Sequence, residues 1–217
     1  MSHEAAPNFD RLAGAYRWME WFSFGPLLQR CRCAFLQEMK TARRALVLGD
    51  GDGRFTAALL RANSEVRVDA VDASPAMLRA LVRGAGPDAD RVRTIAADLR
   101  GWRPEGTAAY DLIASHFFLD CLAGDEVEAL AAAVSPHLTA GAQWFVSDFA
   151  IPEGFAGRLA GRLLVGFLYL AFGLLTGLRI RRLPDHAEAL RRAGFLPARR
   201  REMLFGLLFS EAWRLRT

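Results

Sequence analysis

Three glycines alternate at Gly49, Gly51 and Gly53 in the run ALVLGDGDGRF, with Asp50 and Asp52 between them. Glycines at this spacing allow a tight turn and let the backbone come close to a bound ligand. The run lies between a strand-like stretch, Ala45–Leu48, and a helical one, Phe55–Ala62. It therefore leads into a helix N-terminus, where ligands are readily held. A nicotinamide-binding loop calls for G-x-G-x-x-G, and Arg54 takes the place of its third glycine. G-x-G-x-G favours a ligand with no pyrophosphate to cradle. The two carboxylates agree, since they repel a diphosphate and tolerate a ligand carrying sulfonium and ammonium charge. Asp52 also reads as a cap, because it stands at the entrance to the helix.

More carboxylates follow at strand ends. VRVDAVDASPAML puts Asp72 at the end of a second strand, nineteen residues after Gly53, where a carboxylate can accept both hydroxyls of a ribose. Asp69 is the competing acid but lies inside the strand. Ser74-Pro75 then opens a helix, serine as cap and proline in the first turn. After the third strand come Asp98, able to accept from an adenine amino group, and Leu99, able to offer a backbone donor. Beyond the fourth strand, SHFFLD supplies His116 and Asp120 as candidates for taking a proton from a hydroxyl or amine. A histidine that packs or hydrogen-bonds structurally is the competing reading of His116. Phe117 and Phe118 are candidates for contact with an apolar acceptor, or ordinary core.

The elements that must hold these residues can be read from periodicity. Strand-length apolar runs at Ala45–Leu48, Val66–Val71, Val92–Ala96, Tyr110–Ala114 and Gln143–Ser147 alternate with helical stretches at Phe55–Ala62, Pro75–Arg83 and Glu126–Ser135. Such alternation predicts a parallel sheet with helices on both faces. Ahead of it, Phe9, Leu12, Ala13 and Tyr16 follow helical spacing until Gly25-Pro26, and a second helix is expected from Pro26 to about Met39. At the other end, a helix over His186–Ala193 precedes strand-like runs at 196–204 and 207–215, separated by Phe205-Gly206. These predict an antiparallel hairpin at one sheet edge. The fold class expected is a Rossmann-like, doubly wound α/β domain, with a mostly parallel seven-stranded sheet ending in that hairpin. One domain covers 1–217: an N-terminal helical cap (1–44), a cofactor-binding core (45–150), an apolar helical insertion (151–182), and a sheet-completing helix and strands (183–217).

Over residues 45 to about 150 these motifs resemble the class I S-adenosylmethionine-dependent methyltransferases. The glycine loop, VDASPAML and AADL correspond in order and spacing to that family's cofactor motifs, YDLIASHFFLD to its fourth strand and LTAGAQWFVSDF to its fifth. The opening FDRLAGAY, with a later SFG, is similar to the start of ubiquinone/menaquinone-biosynthesis methyltransferases, where a tyrosine helps to close the cofactor site; Tyr16 is the matching position. The resemblance implies S-adenosylmethionine as cofactor. It implies as the cofactor's contacts Tyr16, Gly49, Asp50, Gly51, Gly53, Asp72, Ala73, Met77, Asp98, Leu99 and Ser115. Two positions depart from the family pattern. Val47 stands where an acid usually precedes the first glycine by two, and Arg17 where aspartate usually follows the tyrosine. The first leaves the cofactor's methionine end without its usual anchor unless Asp50 or Asp52 substitutes.

Composition bounds the rest. A chain of 217 residues, 52% hydrophobic and 24% charged, is globular in type. Cys31, Cys33 and Cys121 cannot build a disulfide framework; together with a start, MSHEAAPNFDR, unlike a signal peptide, they point to a cytoplasmic setting. No Cys, His, Asp or Glu spacing calls for a metal. The net charge of +4 is carried by arginines that are not interleaved with aromatics, which argues against nucleic acid as a partner. Residues 163–178, LLVGFLYLAFGLLTGL, are sixteen without a charge, short of the roughly 20 a membrane-spanning helix needs. They read as a cap over the site, or as a peripheral lipid or subunit contact, and in each case favour a small, apolar or lipid-like acceptor. A nicotinamide-dependent oxidoreductase and a non-catalytic cofactor-binding or scaffolding protein are the competing functions.

Overall fold

The computed structural model describes residues 26–107, 109–150 and 186–216. The expected helix around Tyr16 and the apolar insertion at 151–182 lie outside these residues. The described chain runs α1 (Pro26–Arg32), β1 (Arg44–Leu48), α2 (Arg54–Ala62), β2 (Arg67–Asp72), α3 (Pro75–Ala85), β3 (Val92–Ala96), β4 (Tyr110–His116), α4 (Gly124–Val134), β5 (Leu138–Phe149), α5 (His186–Arg192), β6 (Phe195–Met203) and β7 (Leu208–Leu215). The seven described strands form one sheet in the order β3-β2-β1-β4-β5-β7-β6. Strands β1 to β5 pair in parallel, and β7 runs antiparallel to both β5 and β6. This is the expected doubly wound sheet closed by a hairpin.

Alternation along the strands divides the core in two. On one face Ala45, Val47, Leu112, Ala114 and Phe145 meet Phe55 and Leu59 of α2 and Phe35 of the chain after α1. On the other, Leu46, Leu48, Ile113, Trp144 and Val146 meet Leu130 of α4 and Leu190 of α5. A strand buried on both faces reads as a continuous apolar run, and β1 does so.

Three local expectations are corrected. The helix from Pro26 stops at Arg32, and a separate 3-10 turn covers Leu36–Met39. Ala34 N–H bonds back only three residues, to Cys31, and Phe35 leaves helical geometry at φ −113°. That change turns the Phe35 ring into the core, 5.9 Å from Phe145, a contact that a continuous helix would give up. The hairpin turn has four residues, 204–207, in place of two, because Met203 pairs with Leu208. Leu204 and Phe205 both take positive φ (51° and 55°), and Gly206 N–H closes the turn on Met203. Strand β5 also begins five residues ahead of the expected Gln143, where Leu138 pairs with Tyr110 before the register shifts. Among the described residues no helix is long and apolar enough to cross a membrane.

Candidate active site

Strand order reverses direction between β1 and β4, and ligands of open α/β sheets bind in the crevice outside the carboxyl ends at such a point. The glycine loop leaves β1 there, and His116–Phe118 leaves β4 beside it. Contacts on both sides hold the loop in shape. Gly49 N–H donates to Val71 O at 2.9 Å, and Gly51 N–H donates to Asp72 Oδ2 at 3.2 Å. A side chain at Gly49 would run into the Phe118 ring, and one at Gly53 into Leu81 of α3. At Gly51 the nearest atom to a Cβ would be Met77 Sδ, 4.0 Å away. Of the three loop glycines, Gly51 is the one with open space beside it.

The two loop carboxylates have different surroundings. Asp50 points inward and accepts from Phe55 N–H (3.3 Å), Thr56 N–H (2.8 Å) and Thr56 Oγ1 (2.7 Å). It therefore satisfies the N-terminus of α2, the role expected of Asp52. Burial pushes the Asp50 carboxyl up to about 6, against those hydrogen bonds. Asp52 instead pairs with Arg54 at 3.2 Å, and the residue at the cap position is Gly53.

Asp72 ends β2 at the rim, its second oxygen accepting from Ser74 N–H at 2.8 Å; burial raises its carboxyl above the ordinary value. Ser74 Oγ caps α3 through Met77 N–H, as its sequence promised. Ala73 is exposed at the rim, while Met77 is buried. Asp98 is exposed and bonds Arg100 N–H, and Leu99 is buried in the core on the α4 side. Ser115 is buried, and its hydroxyl accepts from Trp144 Nε1 at 2.9 Å. Tyr16 lies outside the described residues.

His116 and Asp120, expected to face one cleft, have separate partners. His116 Nδ1 is 2.9 Å from Ser147 Oγ, whereas Asp120 N–H donates to Asp148 Oδ2 at 3.2 Å. Residues 147 and 148 are successive on β5 and point to opposite faces. The His116 ring packs edge-on to Phe55 at 4.3 Å. Burial, with Arg32 adding to it, lowers the ring from about 6.5 to about 3, so it is neutral near pH 7 and weak as a base. Asp120 and Asp148 are both buried side chains. Burial first, and the Asp120 charge second, hold Asp148 well above the usual carboxylate range. Asp148 was missed in the sequence, although an acid ending a strand at this rim is the signal that picked out Asp72. Arg32, buried and 5.1 Å over the Phe117 ring, had nothing to distinguish it among many arginines.

The lowered His116 value has a consequence for stability. A group depressed on folding contributes stability present above its unfolded value and lost as pH falls. Asp50 works the other way: its contribution is lost as pH rises through about 6. In urea titrations between about pH 4 and 7, the stability difference between wild type and His116→Gln is expected to grow in favour of wild type as pH rises. A difference constant across that range would mean that His116 is not held neutral by folding.

Residues 46–143 match the model of the family described as a methyltransferase domain. Over this segment the chain is similar to methyltransferase domains. S-adenosylmethionine is the cofactor that goes with it. No curated protein matches the sequence significantly. Among solved structures, an O-methyltransferase family protein from Burkholderia thailandensis is 17% identical with a TM-score of 0.70, covering 99% of this chain and 66% of its own. The S-adenosylmethionine-dependent methyltransferase SibL is 21% identical, TM-score 0.67, covering 100% of this chain and 64% of its own. A methyltransferase complex with the Haloferax volcanii activator Trm112 gives 14% identity and TM-score 0.71, covering 99% and 100%. At these identities the likeness is one of fold, and the chain spans just under two thirds of the first two.

Proposed function

We propose that this protein transfers the methyl group of S-adenosylmethionine to a small apolar acceptor bound beside β4 and β5. The observation that carries the acceptor class is a third apolar cluster at the carboxyl rim, apart from the two faces of the core. It joins Leu28, Phe117, Phe149, Leu204 and Leu208. Phe117 is held there at φ +55°, a costly conformation for a residue other than glycine, and its N–H donates to Ser147 O at 2.7 Å. An apolar ligand at this rim would lie between the glycine loop and the hairpin.

In the transfer, the S–CH3 bond breaks as the acceptor's bond to the methyl carbon forms, leaving a neutral thioether. Holding the two reactants in line and excluding water provides much of the acceleration. An acceptor that loses a proton needs somewhere to place it, and Asp120 beside Asp148 is the pair suited to receive it. Because Asp148 resists ionisation, the pair holds one proton more readily than an isolated carboxylate. Asp120→Asn is expected to lower kcat by about 100-fold, the low end of general-base effects, with cofactor affinity unchanged. Equal losses in both would assign Asp120 to cofactor binding.

The acceptor class is tested with methyl-labelled cofactor and a panel of hydrophobic and small polar hydroxyl and amine compounds. Label passing only to polar acceptors would sink the apolar reading. Val47, buried in β1, favours a second reading in which the cofactor binds without turnover. Calorimetric binding of S-adenosylmethionine with no labelled product across the panel would select it. A peripheral lipid contact rests on residues 163–178 and is tested by liposome flotation.

A further inference from the structure

His116 is the last residue of β4, and the register sets Ala114 opposite Val47 of β1. Side chains alternate along a strand, so His116 is on the sheet face of Val47 and two residues nearer the ligand rim. Its Nδ1 meets Ser147 Oγ, which donates its one hydrogen to Cys31 O (3.3 Å) and lies 2.9 Å from Ser210 Oγ, whose hydroxyl can donate to it. The serine hydrogen is spent on that side, so Nδ1 carries the ring proton and Nε2 presents a bare lone pair. Nε2, on the other side of the ring from Nδ1, is buried and has no hydrogen-bond partner among the described residues. A buried acceptor left unsatisfied is costly, which is a reason to look for a donor brought by a ligand. The carboxylate best placed to serve instead, Asp50, already has both oxygens on the end of α2. Arg32, a buried cation from α1, lies 5.1 Å over the ring of Phe117, the residue that follows His116.

We infer that His116 and Arg32 hold the amino-acid end of the cofactor, Nε2 accepting from its ammonium and the Arg32 guanidinium facing its carboxylate. This rests on the cofactor assignment above. It gives His116 a binding role in place of the base role expected from the sequence, and it supplies an anchor where Val47 offers none. A neutral imidazole next to a guanidinium suits a zwitterion, whose two charges offset one another.

The test is calorimetric binding of two probes to the full chain: S-adenosylhomocysteine, and 5′-methylthioadenosine, which lacks the amino-acid end. His116→Leu and Arg32→Leu are each expected to weaken S-adenosylhomocysteine by roughly 10- to 100-fold and 5′-methylthioadenosine by no more than about twofold. His116→Gln, which keeps a side-chain acceptor, is expected to recover part of the loss and serves where the leucine variant does not fold. A double-mutant comparison with an S-adenosylhomocysteine analogue lacking the amino group completes the measurement: its deficit is expected to shrink in the His116 variants. Equal weakening of both probes, or an undiminished deficit, overturns the inference. Failure of wild type to bind either probe would instead remove the cofactor assignment beneath it.

Discussion

Gly53→Ala is expected to cost about 3 kcal/mol of folding stability, while Gly51→Ala, two residues away in the same loop, costs about 1 kcal/mol. Both glycines have positive φ, 82° and 59°, so an alanine is strained at either position. Their surroundings make the difference. A Cβ at Gly53 would lie 2.5 Å from Leu81 Cγ and 2.7 Å from Leu81 Cα. The second of these is backbone, in the middle of α3, and cannot rotate away. Relief requires α2 and α3 to separate, in a core that loses stability when it is pushed apart. A Cβ at Gly51 meets only the Met77 sulfur at 4.0 Å. Urea unfolding would show the Gly53 variant shifted by roughly 1–2 M and the Gly51 variant by much less. Equal shifts would mean that the α2–α3 contact yields easily and that only backbone strain counts. The Gly51 variant should still lose cofactor affinity, because its new methyl occupies the open side of the loop.

Asp72→Ala is expected to weaken S-adenosylhomocysteine binding by at least about 100-fold, the loss of two charge-assisted hydrogen bonds to the ribose. The carboxylate also does structural work. It receives Gly51 N–H and Ser74 N–H, tying the glycine loop to the start of α3. Its removal is therefore expected to loosen the loop as well as to delete the ribose contacts proposed for it. Asp72→Asn separates the contributions, since the amide oxygen can still accept one bond but offers no charge. Its loss should be intermediate. Calorimetry, with thermal melting to confirm folding, makes the comparison. An Asp72→Ala variant that melts normally and binds within about threefold of wild type would show that the ribose is held elsewhere.

Much of the fold around the candidate site could be read from the sequence. Apart from the early start of β5, each strand and helix of the alternating region falls within two residues of its expected place, because parallel strands are buried on both faces and appear as unbroken apolar runs such as RALVL. Glycine spacing and the Ser74-Pro75 cap are local chemistry, decided within a few bonds of the residues concerned. The glycine loop and Asp72 at the end of β2 are therefore determined by the sequence alone.

Tertiary structure decided what those residues point at. Asp50 and Asp52 are equivalent in the sequence; only the direction of α2 makes Asp50 its capping group and sends Asp52 to Arg54. His116 and Asp120 are four residues apart, yet the chain turns at Phe117, whose positive φ ends β4, and the pair divides between Ser147 and Asp148. Asp148 and Arg32 acquire their importance from contacts across 28 residues or more, between strands and a helix that no spacing rule connects. Burial and partner choice belong to packing, and packing sets whether a histidine is a base, a filler or a ligand's acceptor. For the glycine loop, spacing determined a tight turn after β1; the neighbouring strands decided which of its groups are already occupied.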